Sequence, residues 1–141
     1  MPVLESDRNH RSVYKLLIES CRVLASMPEV DHWQILIIDD GDYIEFYQHL
    51  HTVRGKVTGF VYQLTIRPID SDLPARKTIR RYDCAHGFAH CDIYNAAGEQ
   101  IRKEPIAEAS IHDASNFALQ DILEHVERYV GEYRNSARKR R

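Results

Sequence analysis

From Val57 to Arg67 the chain alternates: Phe60, Tyr62, Leu64 and Ile66 are large and apolar, while Gln63, Thr65 and Arg67 between them are polar. A period of two puts the first set on one face of an extended strand and the second on the other. Segments on either side read the same way. Trp33 to Ile38 is a buried strand closed by Asp39-Asp40-Gly41-Asp42, and an Asp-Gly pair supplies the positive-φ geometry a tight hairpin needs. From Asp42 to His51, Ile44, Phe46 and Leu50 point one way; Tyr43, Glu45, Tyr47, His49 and His51 point the other. Arg54-Gly55 is the next turn signal. After a polar loop from Pro68 to Pro74, Lys77 to Asp83 and Phe88 to Tyr94 read as two further strands. Asn95-Ala96-Ala97-Gly98 turns the chain into a short strand, Glu99 to Lys103.

Helical patterns flank this run. Val13, Leu17, Cys21 and Leu24 recur at helical spacing, and Pro28 disfavours helical geometry at Met27, so a helix is expected over Arg11 to Met27. Leu119, Ile122, Leu123, Val126, Val130 and Tyr133 form the stripe of a long C-terminal helix, with Asp113 or Ser115 expected as its N-cap. The order helix, strands, helix predicts an α+β fold rather than a parallel βαβ one. The expected architecture is an antiparallel meander of about five or six strands, with an N-terminal helix and a long C-terminal helix packed on one face. Residues 1–133 are expected to form a single α+β domain and 134–141 a basic, disordered tail.

At 141 residues the chain can bury a core without disulfide or metal staples. Its longest apolar run, Ile35 to Ile38, is too short to cross a bilayer, and Glu5, Asp7, Arg8 and Asn9 interrupt any signal-peptide core. A cytoplasmic location, with no membrane partner, is the resulting expectation. Three cysteines without a CxxC pair (Cys21, Cys84, Cys91) argue for free, packed thiols over a disulfide framework. The net charge of -2 conceals an asymmetry. Arg134, Arg138, Lys139, Arg140 and Arg141 crowd the last residues without an acid, a pattern that suits an anionic partner or a solubilising end.

The densest set of reactive side chains is Arg80-Arg81-Tyr82-Asp83-Cys84-Ala85-His86-Gly87-Phe88-Ala89-His90-Cys91-Asp92. Gly87 suits a left-handed turn, and on the returning strand alternation puts His90, Asp92 and Tyr94 on one face and Ala89, Cys91 and Ile93 on the core face. Two chemistries fit. A metal held by His86, His90 and Asp92 is one, although the spacing does not match H-E-x-x-H. The other needs neither metal nor cofactor. His86 and His90 exchange protons as catalytic acid and base, Asp83 and Asp92 orient them, and Arg80, Arg81 and Tyr82 bind the substrate and its phosphate. The bland reading of the same residues is a solvated hairpin with cross-strand ion pairs of little energetic worth. His49 and His51, with Tyr43 and Tyr47, border the patch if the strand order brings them there.

The triplet Arg81-Tyr82-Asp83, followed by His86 and then His90, resembles the TumE-like toxin family over roughly Asp39 to Tyr133. The layout around it is similar as well: Asp40-Gly41, a tyrosine-bearing strand at Tyr62, the box and a terminal helix. The tight His-His pair and the later histidine cluster of that family are missing, since Gly87 follows His86 and only His112 comes between the box and the helix. The carry-over therefore rests on Arg81, Asp83 and His86. The resemblance implies an RNA-directed toxin with RNA and a cognate antitoxin as partners; joined to the acid–base reading of the residues, it makes a metal-independent ribonuclease of a toxin–antitoxin or mobile-element system the leading expectation, and a homodimer is a further one. The alternative from another class is a non-catalytic protein- or nucleic-acid-binding module that uses its sheet face and basic tail.

Overall fold

Two tight turns organise the sheet. Asp40 and Gly41 both have positive φ (50° and 80°), as do Arg54 and Gly55 (52° and 75°). Two consecutive left-handed residues make the hairpin connection whose twist matches that of the flanking strands. In the computed structural model, which describes residues 27–72, 75–108 and 110–138, these turns join β1 (Glu29–Asp39), β2 (Asp42–Val53) and β3 (Lys56–Pro68). β4 (Lys77–Asp83), β5 (His90–Tyr94) and β6 (Gln100–Pro105) follow, and the six strands lie in chain order, each antiparallel to the next. Among the described residues one α-helix, α1 (Ile111–Arg138), packs over β3 and β4. The fold is thus an α+β meander with a long C-terminal helix. The helix expected over Arg11 to Met27 lies, apart from its last residue, outside the described residues, as does Cys21.

The alternation read from the sequence sets the layers. Ile44, Phe46 and Leu50 of β2 and Phe60, Tyr62, Leu64 and Ile66 of β3 are buried beneath Leu119, Ile122, Leu123, Val126 and Val130 of α1. Each such side chain taken out of water contributes about 2 kcal/mol, so the helix-to-sheet interface dominates the stability. No helix among the described residues is long and apolar enough to cross a membrane.

Both ends of α1 differ from expectation. Ser110, rather than Asp113 or Ser115, is the N-cap: its hydroxyl accepts the Asp113 N–H at 3.1 Å and its carbonyl the Ala114 N–H at 2.9 Å. Asp113 sits instead in the first turn, where its charge complements the helix dipole. At the other end the helix runs past Tyr133 to Arg138. Arg134, expected to open the tail, is tied to the first hairpin: its guanidinium donates to Asp39 Oδ2 at 2.7 Å, the Asp39 carbonyl at 3.0 Å and Asp42 Oδ2 at 2.8 Å.

Candidate functional site

β4 divides its side chains between two environments. Tyr82 and Arg80 face α1. The Tyr82 hydroxyl donates to Asp121, which also accepts from Tyr129 at 2.8 Å, and the Arg80 guanidinium lies 3.5 Å above the Tyr129 ring and 3.5 Å from Glu132. Arg81 and Asp83, one residue out of phase with them, must project from the other face. Their partners on β5 are Asp92, opposite Arg81, and His90, opposite Asp83.

These four side chains form a connected cluster. Arg81 Nε lies 3.1 Å from Asp83 Oδ2, and Asp83 Oδ1 lies 3.1 Å from His90 Nε2. Asp92 Oδ2 is 3.6 Å from the same nitrogen. Asp83 Oδ1 also accepts the Ala85 N–H at 3.1 Å, which ties the carboxylate to the start of the 3₁₀ turn over Ala85–Gly87. Gly87, with φ +83°, closes that turn in the left-handed region, as the sequence led us to expect.

Burial gives the cluster its character. Asp83, His90 and Asp92 are all buried, whereas the Arg81 side chain is 44% exposed. His90 presents one ring nitrogen to two carboxylates and leaves the other, Nδ1, buried without a hydrogen bond; Asp92 Oδ1 is buried and unpaired as well. Such atoms are costly unless something completes them. The half-exposed Phe88 ring packs 5.5 Å from the His90 ring. Tyr94, near the edge of the cluster, has its phenol pushed up first by burial and then by Asp92.

The same face continues across the sheet. The strand registers place Trp33, Tyr47, Gln63, Arg81, Asp92 and Lys103 in one row and Asp31, His49, Val61, Asp83 and His90 in the next. His49 therefore shares the face with Asp83, at two strand spacings or about 10 Å, with Val61 between them. At the far side Trp33 packs on Tyr47 at 4.7 Å, and the Arg76 guanidinium covers the Trp33 ring at 3.7 Å. Arg76 and Arg67 converge on the buried Glu45, at 3.1 Å and 3.0 Å.

Of the expected site residues, Asp83, His90, Asp92 and Arg81 come together. Arg80 and Tyr82 do not: adjacent residues of a strand cannot share a face, so Arg80 cannot join Arg81, and both Arg80 and Tyr82 serve the helix contact instead. The side chain of His86 lies outside the described residues. Two groups among the described residues place ligand atoms within 4.8 Å of one another, as a metal ion would need: Asp83, His90 and Asp92, and separately Glu29, His49 and His51. The sequence carries no local signal for the pairing of Glu45 with Arg76, 31 residues apart, or for the contact of His112, whose Nδ1 accepts the Val57 N–H at 3.0 Å.

A model of one protein family matches residues 27–139, and the chain belongs to that family, described as Domain of unknown function (DUF7718). No curated protein and no solved structure matches the chain.

Proposed function

Proceeding from membership of that family, whose description carries no activity, we propose that the chain is an RNA-directed, toxin-like component that cleaves phosphodiester bonds by histidine acid–base chemistry. The observation that supports this reading best is His90. A carboxylate pair holds one imidazole nitrogen and the other is left without a hydrogen bond, the division of labour a general base requires. In this mechanism His90 Nδ1 takes the proton from a ribose 2′-hydroxyl, and the oxygen attacks the adjacent phosphorus. The bond to the 5′-oxygen breaks, a 2′,3′-cyclic phosphate forms, and the leaving oxygen collects a proton. Asp83 and Asp92 stabilise the imidazolium, and the exposed Arg81 neutralises the phosphate. His86 enters from its place in the sequence, as the acid for the leaving group. Phe88 must move aside for substrate to reach His90, which its half-exposed position permits. The resemblance to TumE-like toxins supports the same class of activity and adds a cognate antitoxin as partner.

Incubation of single-stranded RNA with wild-type protein, His86→Ala and His90→Ala, each with and without EDTA, tests the proposal. The mechanism requires cleavage by wild type that survives EDTA and falls at least about 100-fold in His90→Ala. Equal cleavage by His90→Ala removes His90 from the chemistry, and cleavage abolished by EDTA replaces the acid–base mechanism with a metal-dependent one.

A second reading, binding of RNA without cleavage, draws on the row that runs from the Trp33–Tyr47 pair to Arg81 and Lys103. Aromatic rings and cations on one sheet face are the parts that hold single strands. Salt-dependent RNA binding retained in His90→Ala, with no cleavage by wild type, would favour it.

A further inference from the structure

The first hairpin carries a second cluster that the nucleolytic reading does not use. His49 and His51 alternate with Leu50 on β2, so both rings stand on the polar face, and Glu29 of β1 lies directly opposite His51. The two Nε2 atoms are 3.2 Å apart, and Glu29 Oε1 is 3.9 Å from that of His51. Two nitrogens bound to one tetrahedral zinc ion at the usual bond length are separated by about 3.3 Å, so the two rings already hold the edge of such a coordination shell. Support for the His49 ring is present behind it. His49 Nδ1 has Tyr47 Oη at 3.5 Å and Asp31 Oδ2 at 3.9 Å, the outer acceptors that orient a ligating imidazole. His51 and Glu29 are exposed, so an ion can enter from solvent and keep a water in its remaining position.

We propose that Glu29, His49 and His51 form a binding site for a borderline divalent cation of the zinc class. Two imidazoles and one carboxylate favour zinc over magnesium or calcium, which prefer all-oxygen shells. The ion ties the edge strand β1 to β2 across the sheet. The proposal is independent of the nucleolytic reading, because three strand spacings, about 14 Å, separate His49 from His90.

The test uses the full chain without an affinity tag, stripped with chelator and titrated with zinc chloride; readouts are bound zinc by elemental analysis after desalting and the thermal midpoint. The site predicts one retained zinc in wild type and in His90→Ala, and a rise in midpoint of roughly 5–10 °C at saturating zinc. His49→Ala and His51→Ala should fold with near-native midpoints in the absence of metal and lose both responses. Zinc that is lost in His90→Ala but kept in His49→Ala assigns the ion to Asp83, His90 and Asp92 and overturns the proposal. No retained zinc in wild type overturns it too.

Discussion

Replacing Tyr82 by phenylalanine separates a structural from a substrate-binding role for this residue. Tyr82 is 1% exposed, and its hydroxyl donates to the Asp121 carboxylate on α1. The substitution removes one hydrogen bond to a charged acceptor, which is worth about 1.5–3 kcal/mol. Asp121 keeps its partners on Oδ1, where Tyr129 donates at 2.8 Å and His125 Nδ1 lies 3.1 Å away, while Oδ2 loses the Tyr82 hydroxyl. The void left by one oxygen is small. The expected loss is therefore about 2 kcal/mol, which for a chain of this size lowers the thermal midpoint by about 8 °C. Thermal denaturation followed by far-ultraviolet circular dichroism measures it, and RNA cleavage at a temperature where the variant is folded completes the assay. A midpoint within about 2 °C of wild type refutes the energetic argument. Normal stability with lost RNA cleavage or binding shows that Tyr82 meets substrate after all.

Glu45→Gln removes the charge shared by Arg67 and Arg76, and breaking such a pair costs about 3 kcal/mol; freeing Arg76 from the ring of Trp33, the single tryptophan, should change its fluorescence. An unchanged midpoint and emission would show that the pair contributes nothing. Burial pushes the Cys91 thiol up to about 11, so in native protein at neutral pH iodoacetamide should modify the partly exposed Cys84 and spare Cys91 until the chain unfolds; rapid labelling of Cys91 would contradict its placement. Burial, then Asp121, raises the Tyr129 hydroxyl to about 12, and Tyr82 is shifted the same way. The unfolded chain releases these protons first, near its ordinary value of 10.0, so stability is full below that pH and is lost as pH rises towards 12. A midpoint that stays flat from pH 9 to 11.5, or one that falls equally in Tyr82→Phe, would refute the assignment.

Most of the sheet is legible because its signals are local. Asp40-Gly41 and Arg54-Gly55 announce positive-φ turns, and the strands between them alternate over several residues, so a meander of about five or six strands and the facing of their side chains follow from spacing, and the structure has six. Errors arise where a long-range contact decides. The cluster from Arg80 to Asp92 looks uniform by composition, but alternation splits it, and contacts with Tyr129 and Glu132 of α1 explain a buried Arg80. Arg134 begins a basic run and reads as tail until Asp39 and Asp42, distant in sequence, supply its partners. Ser110, Asp113 and Ser115 are all capable caps; the choice among them falls where the chain leaves β6 and turns into the helix, which propensity does not fix. Within the site, His90 and Asp92 were recoverable because both sit on the expected face of their strand, and Asp83 because the hairpin expected about Gly87 sets it opposite His90.

The proposed nucleolytic activity uses the sheet face away from α1, with Arg81 on it and Arg80 beneath the helix. The most direct measurement compares the rates of RNA cleavage by Arg81→Met and Arg80→Met, both at a temperature where each is folded. Arg81→Met should lose at least about tenfold in rate with its thermal midpoint nearly intact, and Arg80→Met should lose midpoint and keep its rate. A slow but stable Arg80→Met beside a fully active Arg81→Met would place the chemistry on the other side of the sheet.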